Sequence, residues 1–161
     1  MFERILVPLD GSSYAEEALQ QAIPIALLTS GAISIVTAVP TPVSSPSAIR
    51  EADAVEETMR AYVLEQAEVV RQAGVASVTT LVIPEDPATA ITEAARDQLT
   101  DLIVMATLGL GADRGHAVGS VALNVLATSP CPMLMLRIDK PAPPRTLDEA
   151  RWQEEGGRNV G

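Results

Sequence analysis

The sequence predicts an α/β fold in which an open, five-stranded parallel sheet carries helices on both faces. Short apolar runs alternate with segments of helical periodicity along the 161 residues. Strands that alternate with helices form parallel sheets through right-handed crossovers. Aromatic residues make up only 2% of the chain, so the core must consist of Ala, Val, Ile and Leu. Branched aliphatic residues suit strands that are buried on both faces.

Five short apolar runs, bounded by turn-forming residues, are predicted to be strands. They span residues 4–9, 31–39, 75–83, 101–106 and 133–138. The intervening segments have apolar residues at helical spacing and predict four helices. These span residues 14–28, about 50–73, about 87–98 and about 120–128.

Residues with strong conformational preferences mark the ends of these elements. The segment DGSS (10–13) supplies turn and cap chemistry before the first helix. Pro24 lies inside that helix and is expected to bend or weaken it. The Pro- and Ser-rich segment 40–47 is predicted to be a loop. Gly74 is a typical stop signal for the second helix, and Pro87 suits the first turn of the third.

Residues 1–138 are therefore predicted to form one α/β domain, followed by a mobile C-terminal tail over 139–161. Pro141, Pro143 and Pro144 prevent regular pairing in the tail. The tail is expected to add little to the stability of the core.

Composition excludes several classes of protein. The net charge of −10 disfavours nucleic acid and anionic membrane surfaces as partners, because no basic patch can release phosphate counterions. A single Cys forms no internal disulfide and fits a reducing compartment. The N-terminus lacks a secretory pattern and no apolar run approaches membrane-spanning length. These features predict a soluble cytoplasmic protein.

Residues 105–120, MATLGLGADRGHAVGS, hold four glycines between a strand and a helix. Such a stretch is either a flexible connection or a place where the backbone must approach a ligand closely. The only Lys in the chain is Lys140, so the phosphate-binding loop that ends in Gly-Lys-Ser/Thr is absent. Gly119 and Ser120 would instead offer backbone N–H groups and a hydroxyl at a helix start, which suits an anion.

Asp10 follows the first strand, and ligands of parallel sheets bind at the carboxyl ends of strands. Its carboxylate can accept hydrogen bonds from a ribose or an adenine amine, help to hold a metal, or cap the first helix. His116, the only His, is interpreted as an exposed loop residue. Cys131, between two prolines, is interpreted as a small buried residue. GLGADRG echoes the dinucleotide fingerprint, but its spacing and its place after the fourth strand disfavour that function.

The two loops together resemble the universal stress protein family over about residues 2–138. The resemblance rests on ILVPLDGS near the start, PEDPATAI before the third helix and GHAVGSVALNVLATSPCPMLMLR near the end. The family's nucleotide motif is Gly, two residues, Gly, nine residues, Gly, then Ser or Thr. Here Ala106 replaces the first Gly, and Gly109, Gly119 and Ser120 keep the spacing.

The chain also departs from the family pattern in the loop that would surround phosphates. Leu108 and Leu110 stand where the family often has His and a basic residue, and Asp113 adds a negative charge. Asp113 is therefore expected to limit the affinity for ATP.

The resemblance implies a strand order of 3-2-1-4-5 and a homodimer that forms through the last strand. It implies that adenine lies near Val39, that the loop from Pro8 to Asp10 holds ribose and base, and that the phosphates lie across the glycines, with Mg²⁺ as the expected divalent ion. The implied binding residues are Pro8, Leu9, Asp10, Val39, Met105, Ala106, Gly109, Gly119, Ser120 and Val121.

Three functions follow from these observations. The first is a cytoplasmic ATP-binding stress-response or regulatory protein that senses ATP. The second is a dimeric interaction module of the same fold that binds no nucleotide. The third is an ATPase or adenylate-forming enzyme, but Arg114 is the sole candidate for a basic clamp on the transition state. No catalytic residue is therefore assigned, and at most slow ATP hydrolysis is expected.

Overall fold

The computed structural model describes residues 2–39, 45–109 and 118–138. Its strands are β1 (Arg4–Pro8), β2 (Ala32–Val39), β3 (Val78–Pro84), β4 (Leu102–Ala106) and β5 (Met133–Leu136). Its helices are α1 (Ser13–Thr29), α2 (Pro46–Gln72), α3 (Pro87–Asp97) and α4 (Ser120–Thr128). The expectations for Leu110, Asp113, Arg114, His116, the first part of the 40–47 loop and the tail 139–161 concern residues outside these ranges.

The five strands form one parallel sheet with the order β3-β2-β1-β4-β5. This confirms the predicted fold class and strand order. The chain starts in the middle of the sheet, and Ile5 pairs with Ile33 of β2 on one side and Leu102 of β4 on the other. The strand order therefore reverses between β1 and β4, which is where open α/β sheets bind ligands.

Successive side chains of each strand enter two different apolar clusters, one on each face of the sheet. Ile5 and Val7 belong to the cluster that α1 and α2 cover, whereas Leu6 belongs to the cluster that α3 and α4 cover. The half-buried Cys131 packs against the second cluster. Both faces of the sheet are thus buried by Ala, Val, Ile and Leu, as the composition predicts.

Side chains cap three of the four described helices. The Ser12 hydroxyl accepts the N–H of Ala15 at 3.2 Å, which starts α1. The Ser45 hydroxyl does the same for α2. Asp86 accepts two N–H groups at the start of α3, and Pro87 follows it in the predicted first-turn position. Local sequence therefore sets these three helix starts.

Two predicted boundaries are wrong by three or more residues. Residues 46 and 47 were assigned to the loop, but α2 begins at Pro46 because proline lacks an N–H group and suits the first helical position. The third strand begins at Val78 rather than at Val75. Gly74 has φ +104°, and the N–H of Val75 returns to the Val70 carbonyl at 3.3 Å. The end of α2 therefore uses residues that the sequence pattern assigned to the strand.

Within the described residues, no helix is both long and apolar enough to cross a membrane.

α1 continues through Pro24, which is exposed on its surface. Proline cannot donate the helical hydrogen bond to the carbonyl of Gln20, and its ring crowds that turn. We expect Pro24→Ala to restore the bond and raise the free energy of unfolding by as much as about 3 kcal/mol. Thermal unfolding followed by circular dichroism measures the change.

Gln21→Ala is the matched control, because Gln21 is an exposed neighbour in the same helix and already donates its backbone N–H. It should leave the midpoint nearly unchanged. A lower midpoint for Pro24→Ala would show that the proline stabilises α1.

Candidate functional site

A cavity of about 260 Å³ lies at the carboxyl ends of β1, β2 and β4. It is next to the point where the strand order reverses. Nine of the ten residues that the resemblance implies for binding line this cavity: Pro8, Leu9, Asp10, Met105, Ala106, Gly109, Gly119, Ser120 and Val121. The fold therefore brings together the loop after β1 and the glycine-rich stretch after β4.

Val39 is the tenth residue, and it does not line the cavity. It is 3% exposed, and in its place Val36 and Ala38 of the same strand contribute to the wall. Side chains alternate between the two faces of a strand, so the even-numbered residues of β2 face the cavity and Val39 faces the other way. Val39 thus lies at the predicted end of β2, with its side chain on the face of the sheet away from the cavity.

The cavity also has an apolar wall whose residues the family resemblance did not identify. Val36 and Ala38 of β2 and Pro87 and Ile91 of α3 line the cavity, and Ile91 belongs to the core cluster beneath α3 and α4. Further residues that line the cavity are Ala15, Thr107, Leu108 and Ala122. The helical periodicity of α3 marks Ile91 as buried, but only the packing of α3 against β2 places it at this cavity.

Asp10 organises the loop that follows β1. Its Oδ1 accepts the N–H of Ser12 at 3.0 Å, and Ser12 in turn caps α1. Gly11 between them has φ +84°, a conformation that residues with a Cβ rarely adopt. The helix cap that was one interpretation of Asp10 therefore belongs to Ser12, and Asp10 fixes the turn that positions the cap.

Gly109 lies directly against Asp10. A Cβ added to Gly109 would overlap Oδ2 of Asp10 and lie 3.5 Å from its Cγ. Glycine is therefore required here if the carboxylate is to keep its position. The two loops meet at this contact, which joins residues that are far apart in the sequence.

Gly119 is under less steric restraint. A Cβ at this position would lie 3.4 Å from the Thr107 carbonyl oxygen, which is an ordinary van der Waals contact, and φ is −74°. Its own N–H donates to that carbonyl at 2.7 Å. The sequence interpretation offered this N–H to a ligand, but within the protein it already has an acceptor.

α4 begins at the cavity without a side-chain cap. Gly119 is its N-cap residue, and the first helical bond runs from the N–H of Leu123 to the Gly119 carbonyl at 3.1 Å. The N–H groups of the first turn lack helical acceptors and carry the partial positive charge of the helix dipole. Ser120, Val121 and Ala122 line the cavity, so this turn faces a space that suits an anion.

Asp10 is the only charged residue among the described residues that line the cavity. The Tyr62 hydroxyl of α2 donates to Glu16 of α1 at 3.1 Å. Burial, then the carboxylates of Glu16 and Asp10, raise the pKa of Tyr62, which keeps its hydroxyl protonated.

In the described ranges, no group of three or more His, Cys, Asp or Glu side chains is arranged to hold a metal ion.

Comparison with known proteins extends this description. Residues 1–137 match the model of the universal stress protein family. A curated relative from Thermus aquaticus, described as a universal stress protein in the region 3′ of a QAH/OAS sulfhydrylase, is 36% identical over 145 residues, which cover 85% of this chain and 100% of the relative.

Solved structures show the same fold. The universal stress protein UspA from Lactobacillus plantarum has a TM-score of 0.78 at 23% identity and covers 84% of this chain and 98% of its own. A universal stress protein in complex with cAMP has a TM-score of 0.66 at 24% identity, covering 84% and 97%. One from Archaeoglobus fulgidus in complex with dAMP has a TM-score of 0.58 at 22% identity, covering 83% and 97%.

The contact between Gly109 and Asp10 predicts a measurable energetic coupling. We expect Gly109→Ala to push the Asp10 carboxylate away from the Ser12 N–H and to lower the free energy of unfolding by about 1 kcal/mol. In an Asp10→Ala background the added methyl group meets no carboxylate, so the same change should cost less. A double-mutant cycle from urea denaturation should give a coupling of roughly 0.5–1 kcal/mol, which is most of the cost of Gly109→Ala in the unaltered protein.

Backbone entropy effects of Gly→Ala occur in both backgrounds and cancel in the cycle. Gly119→Ala is the control, because its added Cβ makes only an ordinary contact and no coupling to Asp10 is expected. Additive effects of Gly109→Ala and Asp10→Ala would contradict the steric interpretation.

Proposed function

The chain belongs to the universal stress protein family, and on that premise we propose that it binds ATP with Mg²⁺ in the cavity beside β1 and β4. We propose that it does so in the cytoplasm, as a stress-response or regulatory protein that senses the nucleotide and turns it over slowly, if at all. The observation that carries the proposal is the uncapped start of α4, which faces a cavity lined by both predicted binding loops.

The chemistry of the cavity walls matches the parts of an adenine nucleotide. Val36, Ala38 and Ile91 offer apolar surface that suits a base. Asp10 offers a carboxylate that accepts hydrogen bonds from sugar hydroxyls. The first turn of α4, with the Ser120 hydroxyl, offers donors to phosphate oxygens. Two structural neighbours are described in complex with the adenine nucleotides cAMP and dAMP, which supports the choice of adenine.

The negative charges of the protein and of ATP call for a divalent cation in the site. The protein carries a net charge of −10, and Asp10 is the one charged side chain on the described wall of the cavity. Backbone dipoles offset only part of a triphosphate's charge. Mg²⁺ is commonly held by substrate phosphates, one or two carboxylates and water. ATP binding is therefore expected to require Mg²⁺.

We also propose a homodimer that forms through β5. This strand ends the described sheet, so one of its edges has no strand partner there, and an unpaired edge favours pairing with another chain. Leu134 of β5 is 36% exposed, and Leu123 and Leu126 of α4 are about half exposed. The alternative function, a dimeric interaction module without nucleotide, would use the same apolar residues, and nucleotide titration separates the two.

Titration calorimetry with ATP and Mg²⁺ tests the nucleotide proposal. We expect heat of binding with Mg²⁺ and little without it. Gly119→Val should abolish binding while the fold persists, because its branched side chain would fill the space in front of the first turn of α4.

Gly119→Ala is the matched control and should retain measurable binding, since its Cβ lies in ordinary contact distance. Absence of both heat and thermal stabilisation with millimolar ATP and Mg²⁺ would reject nucleotide binding in favour of the interaction module.

Light scattering at micromolar concentration tests the dimer. Leu134→Lys should shift the protein to a monomer, because it places a charge in the proposed interface. Met135 is a poorer position, since it packs against the core beneath α3 and α4 and Lys there would also disturb the monomer. Leu28→Lys, at a residue 86% exposed on α1, should stay dimeric, and a monomeric unaltered protein would overturn the proposal.

A further inference from the structure

Thr107 carries a buried hydroxyl without a hydrogen-bond partner at the edge of the cavity. The residue is 8% exposed, its Oγ1 has no partner among the described residues, and it is one of the residues that line the cavity. Most buried polar side-chain atoms have a hydrogen-bond partner, so each exception needs an explanation. In the sequence, Thr107 occupies one of the two unspecified positions of the nucleotide motif.

The backbone of Thr107 is held on both sides. Its N–H donates to the Leu136 carbonyl of β5 at 2.9 Å, and its carbonyl accepts the Gly119 N–H at 2.7 Å. The backbone of Thr107 is therefore fixed beside Gly119, the residue that precedes the first turn of α4. A change of χ1 by about 120° exchanges the hydroxyl and methyl groups of threonine in nearly the same volume. The hydroxyl can thus turn towards a ligand without a change in the backbone.

We infer that the Thr107 hydroxyl donates a hydrogen bond to a phosphate oxygen of the nucleotide in this cavity. The inference rests on the proposed function and identifies a further binding residue of the same site. A phosphate is the favoured partner because the bond from Gly119 to Thr107 places this hydroxyl beside the first-turn N–H groups of α4, where an anion is stabilised. Nucleotide binding would supply the partner that the hydroxyl otherwise lacks. The hydrogen bond formed on binding therefore adds to the affinity.

Thr37 of β2 provides an internal comparison. It is 2% exposed, and its Oγ1 also lacks a partner within the described part of the chain. It lies between Val36 and Ala38, which face the cavity, so its own side chain faces the opposite side of the sheet. The sheet therefore tolerates a buried hydroxyl without a partner, and position at the cavity is what distinguishes Thr107.

The test combines the stability of the ligand-free protein with nucleotide affinity. Thr107→Val keeps the shape of the side chain and removes the hydroxyl. It should raise the melting temperature without ligand by roughly 2–4 °C, because the unmet hydrogen bond disappears. It should also weaken ATP binding in the presence of Mg²⁺ by about tenfold or more, as expected for a lost hydrogen bond to a charged group.

Three controls make the result specific. Thr37→Val should raise the melting temperature similarly and leave ATP affinity unchanged. Thr107→Ser keeps the hydroxyl and should retain most of the affinity. Adenosine, which lacks phosphate, should bind the unaltered protein and Thr107→Val equally.

Each other outcome counts against the inference. Equal ATP affinity of the unaltered protein and Thr107→Val overturns it and leaves nucleotide binding intact. A weaker affinity of Thr107→Val for adenosine assigns the hydroxyl to the nucleoside and overturns the phosphate contact. A lower melting temperature for Thr107→Val shows that the hydroxyl has a partner without ligand and removes the premise. No heat with the unaltered protein overturns the proposed function and the inference together.

Discussion

The contact between Asp10 and Gly109 is the constraint on which the site depends. One oxygen of the Asp10 carboxylate accepts a hydrogen bond from the Ser12 N–H. The other oxygen occupies the space that a Cβ on residue 109 would need. Strand order makes the contact possible, because β1 and β4 are neighbours in the sheet although most of the domain lies between them in sequence. A different strand order would leave both loops chemically intact and the cavity unformed.

The pleat of the sheet then decides which side chains reach the cavity. Along β2, Val36 and Ala38 line the cavity, whereas Thr37 and Val39 face the opposite layer. Along β1, Leu6 enters the cluster under α3 and α4, and Ile5 and Val7 enter the other. Because both faces are buried, hydrophobicity alone does not distinguish them. The packing of α3 and α4 is what makes one face the ligand side.

The electrostatics of the cavity depend on backbone groups more than on side chains. Asp10 is the one charged residue on the described wall, in a protein of net charge −10. The favourable groups for an anion are the first-turn N–H groups of α4, the Ser120 hydroxyl and, by inference, the Thr107 hydroxyl. Such fixed dipoles need no basic side chain, but they leave most of a phosphate's charge to be neutralised by a bound cation.

The sequence by itself determined the fold class, the number of strands, the starts of α1 and α3, and the spacing of the motif from Ala106 to Ser120. Periodicity, caps and turn residues act over a few neighbours, so these features can be recognised locally. It also placed nine of the ten proposed binding residues at one cavity, through resemblance to a family. It missed the start of α2 at Pro46, where a loop-like composition concealed a favourable first helical position.

Only the tertiary structure decided the rest. The face of β2 that lines the cavity, the contribution of Ile91, the acceptor for the Gly119 N–H and the unpartnered hydroxyl of Thr107 depend on contacts between segments distant in the chain. The local sequence pattern does not specify which carbonyl group will accept a hydrogen bond from a given N–H group in a distant segment. Strand order and helix packing determine these contacts. Both result from burying the apolar surfaces of all the strands and helices together.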